Sequence, residues 1–302
     1  DLHLSHRRQR QMCIRDRCNA LTADHSHADI IVNMLPGSLG NKMTSILKDT
    51  GQRIVDLSFS ESTPDLLDGV SSTILWDVGF APGLSNMLVS SAFRKFGVLD
   101  EVSIKVGGNP QLPDEEWSYM APFSPHDVIA EYTRPARVIQ QSEQIEVPAM
   151  TDLHSIDANG REMEAFLTDG LRSLLAMPAK KMGEYTVRWP GHIQKYQNSN
   201  LSPEELVDAW ALDPLRSEFT WMEVVISSGD EKITWIIEDL GKNGDSSMAR
   251  TTGLVTACCV IAWIDRPDMF GSGVYAPEDL PDDVIQLVIE VMRSEGVSIE
   301  MR

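Results

Sequence analysis

Short apolar runs alternate with helical repeats along the first part of the chain. The runs at 29–35, 53–58 and 73–78 are each bounded by turn residues, which suits parallel strands that are covered on both faces. Apolar residues recur at helical spacing in two segments, 43–47 after the first run and 84–92 after the third. Strands that alternate with helices at this pitch predict a parallel, right-handed, doubly wound sheet.

The pattern changes after position 97. Residues 101–107 alternate between apolar and polar positions, as a half-exposed antiparallel strand does. Apolar runs at 221–226 and 232–237, separated by Ser228-Gly229-Asp230-Glu231, predict a β-hairpin. The middle of the chain is therefore predicted to be an α+β domain with a mainly antiparallel sheet.

Helices are predicted at several points in this second part. Ser124, Thr168 and Ser202 each have the sequence pattern of a helix start. The segments 249–264 and 281–293 carry apolar stripes at helical spacing, including Leu254, Ala257, Cys258, Ile261 and Ala262 in the first of them. Both are predicted to be packing helices.

The composition narrows the class of protein. A net charge of −19 and a pI near 4.7 argue against a nucleic-acid partner and favour a cationic substrate. Four cysteines form neither a metal-site spacing nor a secreted disulfide framework, so a reducing cytoplasm is expected. The chain shows no run of about 18 apolar residues, so we expect no membrane span.

The start of the chain leads to two further expectations, one about residues 1–18 and one about a missing Gly-rich turn. Residues 1–18 are basic and lack an initial Met, and 10–17 resemble translated adapter sequence, so we expect a non-native leader. The Gly-x-Gly-x-x-Gly turn of a dinucleotide-binding domain is absent from the sequence. The three apolar runs therefore match the second half of a Rossmann domain, and we expect a first half of roughly 70 residues upstream. Without it, Ile31, Val32 and Met34 are expected to face water.

Four segments carry a resemblance to a known family. They are the strand and turn at 74–87, the Gly107-Gly108-Asn109-Pro110 turn, the block 123–135 and the block 168–175. Together they resemble the saccharopine dehydrogenase family, most closely its lysine 6-dehydrogenase branch. The resemblance implies an α/β protein with a partial Rossmann domain and an α+β domain, acting on a small amino-acid substrate as a homodimer.

The same resemblance implies how the domains are joined. Residues 19–97 would form the partial Rossmann domain, to which 249–280 would return. Residues 98–248 would form the α+β domain for substrate binding and dimerisation, joined by 281–302. The implied activity, that of a full-length parent, is oxidation of the C–N bond of an amino acid, with NAD or NADP as cofactor and the ε-amino group of lysine as the expected target. Without the Gly-rich turn, the chain as given is expected to be inactive.

Two alternatives to that activity stay open. A saccharopine or carboxynorspermidine dehydrogenase or reductase would use the same fold on a different amine. An inactive homologue, or a self-association module, is the alternative of another class, and the absent Gly-rich turn favours it.

Amine oxidation needs a group that removes a proton from the substrate ammonium, and His or carboxylate side chains are the usual agents. His192 follows a strand end in a segment similar to the family's, and Asp169 lies in the Thr-Asp-Gly-Leu-Arg block, so both are candidate catalytic residues. Arg172, Arg188 and Thr168 are candidate substrate-binding residues. Helix capping by Thr168 and Asp169, and an ion pair of Arg188 with Glu184, are the structural alternatives.

The turns after the predicted parallel strands are candidate cofactor contacts, because ligands of open α/β sheets bind beyond the carboxyl ends of the strands. Asn109 and Asn86 are further candidate substrate-binding residues, although turn formation alone explains the segment around Asn109. We expect no metal site. The candidate cofactor-binding residues are Pro36, Gly37, Ser58, Gly79, Phe80, Ala81, Pro82 and Gly83.

Overall fold

A computed structural model describes residues 20–242 and 244–302 of the chain. The expected leader, residues 1–18, therefore lies outside the described residues. Within them, the chain forms a small parallel sheet and a large mixed sheet, with helices packed on both. The α/β fold class predicted from the sequence is confirmed.

The parallel sheet has four strands in the order β1-β2-β3-β12. Ile31 of β1 lies opposite Ile54 of β2, which lies opposite Ile74 of β3, so one apolar row crosses the sheet. Helix α1 covers this row with Met43 and Leu47. The bounds are β1 Ile31–Asn33, α1 Gly37–Leu47, β2 Arg53–Asp56, β3 Thr73–Trp76, α2 Leu84–Phe96 and β12 Gly273–Tyr275.

A buried polar network holds α1 to the first two strands. Asn33 donates to the carbonyl oxygen of Gly40 at 2.8 Å and to the Thr44 hydroxyl at 3.0 Å, and Thr44 donates to Asp56. The carboxylate of Asp56 also accepts from the backbone N–H of Ser58 at 2.7 Å, which shapes the loop after β2. Each polar group buried here has a partner, as burial requires.

The large sheet has nine strands, and its main path runs β13-β11-β10-β4-β9-β5-β6, with β7 paired to β8 and β8 to β9. It is mainly antiparallel, as predicted, but β4 pairs in parallel with β9. The bounds are β4 Leu99–Pro110, β5 Ala136–Gln140, β6 Glu143–Val147, β7 His154–Asp157, β8 Glu162–Thr168, β9 Ala179–Arg188, β10 Glu218–Ser228, β11 Glu231–Asp239 and β13 Ser298–Met301.

Five further α-helices pack around these sheets in the described ranges: α3 Pro125–Thr133, α4 His192–Asn198, α5 Pro203–Ala209, α6 Ser247–Asp265 and α7 Asp282–Ser294. The main core joins α2, α6 and α7 to both sheets. By length and composition alone, α6 could cross a membrane, contrary to our expectation. Its Val255, Cys259 and Trp263 are fully buried in the main core, however, as in a core helix of a globular protein.

The structure differs from the sequence-based predictions at three points. Thr168 ends β8, and the helix expected there is a short 3-10 turn over Arg172–Ala176. Ile261 is 54% exposed, because the buried face of α6 runs through Val255, Cys258 and Cys259 instead. Ile31 is buried under α1, so only its neighbours Val32 and Met34 face water.

A candidate active site between the two sheets

A cleft of about 290 Å³ lies between the carboxyl ends of β1, β2 and β3 and one face of the large sheet. The parallel sheet contributes the loops that follow its strands, and the large sheet contributes β4 and β9. Helices α3 and α6 close the sides, the latter with Met248 and Thr252. This is the position at which open α/β sheets bind ligands.

The loop after β3 forms one wall. Gly79 donates to the carbonyl oxygen of Pro82 at 3.2 Å and accepts from Leu84 at 3.0 Å, which folds the loop tightly back on itself. Gly83 has a φ of 135°, and a Cβ there would lie 2.0 Å from the Gly79 carbonyl oxygen, so only glycine fits. Asn86 caps the following helix by accepting from Gly83 at 3.2 Å.

Six of the predicted cofactor-binding residues line this cleft: Pro36, Gly37, Gly79, Phe80, Ala81 and Pro82. The other two, Ser58 and Gly83, do not line the cleft. Ser58 is buried, with its backbone N–H donating to the Asp56 carboxylate, and Gly83 forms the turn before α2. Asn86 is fully buried, where it donates to Ser173 at 3.2 Å and to Glu278 at 3.0 Å. The structure therefore places Asn86 in a bridge between α2, the turn after β8 and the segment before α7, away from the cleft lining.

A polar stripe on β9 forms the floor of the cleft. Glu184, Thr186 and Arg188 alternate along this strand and all line the cleft. Side chains at every second position of a strand point to the same face, and the two ends of the stripe are about 13 Å apart along the strand. The floor is therefore acidic at one end and basic at the other.

Glu184 is the acidic end, and one of its oxygens is buried without a partner. Within the described part of the chain, no group donates a hydrogen bond to Oε2, and the residue is 5% exposed. Burial, followed by the neighbouring carboxylates of Glu131, Asp169 and Asp77, raises the pKa of Glu184 to about 8. A carboxyl group of this kind can hold or release a proton near neutral pH.

Arg188 is the basic end and is fixed by aromatic residues. Its Nε donates to the Tyr132 hydroxyl at 2.7 Å, its Nη1 to the Val187 carbonyl oxygen at 3.0 Å, and its Nη2 to the Tyr119 hydroxyl at 3.4 Å. The described residues thus supply acceptors for only some of its five N–H groups. Its nearest carboxylate oxygen is that of Glu131, 3.9 Å from Nη2, and not that of Glu184 as the alternative reading supposed.

Glu131 shares the cleft wall with Arg188. Burial raises the pKa of Glu131, the guanidinium groups of Arg188 and Arg134 oppose that rise, and the result is about 7. Two carboxyl groups that titrate near neutrality therefore face one cleft. Perturbed carboxyl groups gathered in a cleft are typical of functional sites.

His192 lies behind Arg188 and does not line the cleft. Its Nδ1 is 2.9 Å from the Trp117 carbonyl oxygen and its Nε2 is 3.0 Å from the Tyr132 hydroxyl. Burial, followed by the charge of Arg188, lowers the pKa of His192 to about 3. The ring is therefore neutral at physiological pH, and the structure does not place it where it would reach a substrate.

The Thr-Asp-Gly-Leu-Arg block surrounds the site and does not line it. Thr168 shares a hydrogen bond of 2.9 Å with the hydroxyl of Thr186, beside the cleft floor. Asp169 accepts from Arg137 at 2.7 and 2.9 Å and lies 3.1 Å from the Nε of Arg134. Both oxygens of Asp169 are thus already shared with guanidinium groups.

Arg172 is also engaged within the protein. Its Nε lies 2.7 Å from Oδ2 of Asp77, its Nη2 lies 3.2 Å from Oδ1, and its Nη1 donates to the carbonyl oxygen of Ser60. Its side chain has no exposed surface. The structure therefore uses Arg172 to join the segment after β8 to the loops after β2 and β3, and it does not present this residue to the cleft.

Asn109 occupies a similar supporting position. Its side-chain nitrogen donates to the Val187 carbonyl oxygen at 3.1 Å, which ties β4 to β9, while its Oδ1 is buried without a partner among the described residues. Gly107 and Gly108 line the cleft next to it. A Cβ on Gly107 would lie 2.4 Å from the Val187 carbonyl oxygen, so the close approach of the two strands requires glycine there.

Glu184 and Glu131 are the two candidate functional residues that the sequence did not single out. Glu131 belongs to a block that carries the family resemblance. In the second half of β9, Glu184, Thr186 and Arg188 alternate with Tyr185 and Val187. Polar residues at every second position of a strand were the available signal. In the described ranges, His, Cys, Asp and Glu side chains form no group that could hold a metal ion.

Comparisons with known proteins agree with this architecture. The family model of the saccharopine dehydrogenase C-terminal domain matches residues 79–297, which is more than half of the chain. An apo saccharopine dehydrogenase (L-Glu forming) from Saccharomyces cerevisiae has a TM-score of 0.65 at 13% identity, over 92% of this chain and 85% of that one. A homospermidine synthase from Legionella pneumophila in complex with NAD has a TM-score of 0.59 at 11% identity, over 90% and 75%. These two structures share the fold, and the matched family model shows that the chain belongs to the saccharopine dehydrogenase family.

Proposed function

We propose that this protein is an NAD(P)-dependent dehydrogenase that acts on the C–N bond of an amino acid, with the ε-amino group of lysine as its target. The polarity of the cleft floor carries this proposal. Arg188 at one end would bind a substrate carboxylate, and Glu184 at the other would meet a cationic nitrogen. A substrate with its carboxylate and its reactive amine at opposite ends fits that arrangement.

The balance of charges in the cleft supports lysine over saccharopine. Asp77, Asp127, Glu131 and Glu184 line the cleft in the described part of the chain, and Arg188 is the basic residue among the lining. Saccharopine carries more carboxylates than lysine, and each would need a basic partner to offset its desolvation. Lysine brings two ammonium groups and one carboxylate, so Glu131 would take the α-ammonium beside Arg188.

The orientation follows from the neighbours of Glu184. Asp77 follows the carboxyl end of β3, and its ion-pair partner Arg172 follows β8. The charges of both residues act on Glu184. The reactive nitrogen would therefore lie on the side of the parallel sheet, and the substrate carboxylate would lie away from it. This arrangement favours reaction at an amine remote from the carboxylate.

The loops after the parallel strands fit one part of a nicotinamide cofactor. Pro36, Gly37, Gly79 and Phe80 present mostly backbone and apolar surface to the cleft, which suits a nicotinamide ring and its ribose. The chain contains no Gly-x-Gly-x-x-Gly turn to hold a pyrophosphate. When bound, the cofactor would accept a hydride from the substrate carbon.

In this proposal Glu184 moves the protons. With a pKa of about 8, its carboxylate form would take a proton from the substrate ammonium, which leaves the nitrogen lone pair free. The resulting carboxylic acid would release that proton to solvent water, and the carboxylate would then take a proton from the water that attacks the iminium carbon. Transfer of this second proton to the amino nitrogen would let ammonia leave as the aldehyde forms. A base that titrates near the operating pH is suited to both steps.

The test compares Glu184→Gln with a matched control, Glu223→Gln, whose carboxylate pairs with Lys105 on another strand at 2.6 Å. L-lysine, saccharopine and cadaverine are supplied with NAD or NADP, and formation of the reduced cofactor is followed by absorbance. Glu184→Gln should lower kcat for lysine about 10²-fold or more, and the control should be unchanged.

Calorimetric binding of L-lysine provides a readout that does not need cofactor turnover. Arg188→Met should weaken lysine binding about 10-fold to 100-fold, which is the loss expected for a charge-assisted contact. A wild-type chain that turned over saccharopine but not lysine would replace the proposed substrate. A chain that bound none of these amines would favour the inactive or self-association alternative.

We also propose a cytoplasmic homodimer. Cys258 and Cys259 are free and buried in α6, which agrees with a reducing compartment. The large sheet is expected to form the dimer contact. Light scattering that gave the mass of a single chain would contradict the dimer.

A further inference from the structure

A chain of hydrogen bonds runs from the basic end of the cleft into a buried aromatic cluster. It begins at Arg188 Nε, passes through the hydroxyl of Tyr132, and continues through the imidazole of His192 to the carbonyl oxygen of Trp117. The three distances are 2.7, 3.0 and 2.9 Å. Arg188 lines the cleft, whereas His192 does not.

The chemistry of the groups fixes the direction of each bond. The Trp117 carbonyl oxygen can only accept, so Nδ1 of His192 carries the hydrogen and donates. The guanidinium Nε of Arg188 can only donate, so the Tyr132 hydroxyl oxygen accepts there. The Tyr132 hydroxyl then donates its own hydrogen to Nε2 of His192, which must be the unprotonated nitrogen of a neutral ring.

A protonated ring would break this order. Both ring nitrogens of an imidazolium donate, and Tyr132 would then receive two donors, from His192 and Arg188, while its own hydrogen lost its acceptor. The cations of Arg188, on β9, and Lys195, on α4, both act against a charge on the ring, whereas the Trp117 carbonyl favours it. Burial among aromatic rings, with Tyr119 at 5.0 Å and Trp210 at 5.6 Å between centroids, adds to the cost of a charge.

We propose that His192 is a positioning residue, which stays neutral, accepts a hydrogen bond from Tyr132, and thereby holds the Arg188 guanidinium in the orientation that binds the substrate carboxylate. The role in binding the substrate carboxylate rests on the proposed function. The series of hydrogen bonds from Arg188 to Trp117 does not depend on it. It replaces the assignment of His192 as a catalytic base with a role that acts through two other side chains.

The hydrogen-bond chain is tested directly by ¹⁵N NMR of the histidine side chains in the wild-type protein. Loss of one signal in His192→Gln assigns the ring. A neutral ring with hydrogen on Nδ1, unchanged on acidification from pH 8 to pH 5, is the expected result. An imidazolium that forms close to the ordinary pKa of histidine, or a ring with hydrogen on Nε2, would overturn the proposal.

The effect on Arg188 is tested by comparing L-lysine with cadaverine, which lacks the carboxylate. Tyr132→Phe keeps the ring and removes the hydroxyl, and His192→Phe keeps an aromatic ring and removes both nitrogens. Each should weaken lysine binding by about tenfold while changing cadaverine binding much less. The double variant should lose no more lysine affinity than either single variant, because both substitutions interrupt the same series of hydrogen bonds.

His192→Gln provides the rescue, since its amide can donate to Trp117 and accept from Tyr132, so lysine affinity should recover in part. If Tyr132→Phe lost equal affinity for lysine and for cadaverine, the hydrogen bonds from Arg188 to Trp117 would have no role in carboxylate binding. A wild-type protein that binds lysine no better than cadaverine would instead contradict the proposed function. The NMR result would then decide on its own whether the neutral, hydrogen-bonded His192 exists.

Discussion

Asp77 and Arg172 form a buried, two-point ion pair between the loop after β3 and the segment after β8, and both residues have left-handed backbone conformations. The N···O distances are 2.7 and 3.2 Å, and φ is 56° at Asp77 and 55° at Arg172. Asp77 follows β3 of the parallel sheet, and Arg172 follows β8 of the large sheet. One contact thus holds two residues in a conformation that non-glycine residues rarely adopt. The same contact fixes the position of one cleft wall relative to the other.

Removal of one partner of this pair should be strongly destabilising, because the other charge stays buried. Arg172→Met should lower the free energy of unfolding by about 3–5 kcal/mol in urea denaturation. Lys105→Met is the control, since Lys105 pairs with Glu223 at a partly exposed position and should cost no more than about 1 kcal/mol. If the two variants lost equal stability, the pair would not be the clamp we describe.

Glycine is predicted to be required at position 170 because it leaves room for the Glu184 carboxylate, and not because of its own backbone conformation. A Cβ added at Gly170 would lie 1.7 Å from a carboxylate oxygen of Glu184. Gly170→Ala should therefore displace that carboxylate and lower activity, with a smaller effect on the unfolding free energy in urea. Gly160→Ala, where the added Cβ meets nothing within 4 Å but φ is 81°, separates backbone strain from collision. Activity retained in Gly170→Ala would show that Glu184 can move without consequence.

The stability of the fold should fall as the pH rises from about 5 to about 8. The pKa of Glu184 is raised to about 8, and burial likewise raises the pKa of Glu131 and of Glu278 to about 7. A group with a raised folded-state pKa stabilises the fold below its unfolded pKa, and this contribution is lost as the pH rises through the folded value. His192, with its pKa lowered to about 3, acts in the opposite sense and destabilises the fold as the pH falls below its unfolded value.

Thermal unfolding across this pH range checks the prediction. Glu184→Gln has no proton to lose and should flatten the decline of Tm between pH 5 and pH 8. Glu204→Gln, at an exposed position in the first turn of α5, should leave the decline unchanged. A wild-type Tm that rose over this range would mean that the three buried carboxyl groups are ionised without cost.

The fold could be predicted from the sequence where the signal was local. Apolar runs identified β1, β2 and β3, and the Gly229-Asp230 turn identified the hairpin of β10 and β11. The parallel pairing of β4 with β9 could not be predicted, since it joins strands about 80 residues apart, as in the pair Glu101 and Lys181. Alternation along one strand does not indicate the direction of its partner.

The site could be predicted only in part, for a physical reason. The sequence favours a catalytic interpretation of Asp169 and a substrate-binding interpretation of Arg172, but their charges are paired with Arg137 and Asp77 from distant segments. Glu184 attracted none, because its raised pKa depends on burial and on carboxylates that tertiary structure brings to it. The chemistry of a carboxyl group is set by its surroundings, which a sequence does not display.

The outer edge of β1 is predicted to be a site of self-association. Val32 is 37% exposed and Met34 is 66% exposed, and they lie on the face of the strand opposite α1, at an edge that pairs with no strand in the described ranges. An unpaired strand edge with exposed apolar side chains binds other chains and hydrophobic dyes. Replacement by Val32→Thr and Met34→Lys should lower dye fluorescence and aggregation, as measured by light scattering, without loss of secondary structure. Leu215→Lys is the control, since Leu215 is 93% exposed in the loop before β10, and it should leave both signals nearly unchanged. If the control lowered them as much as the β1 variants did, the apolar surface that drives association would lie on the large-sheet domain and not at the edge of the parallel sheet.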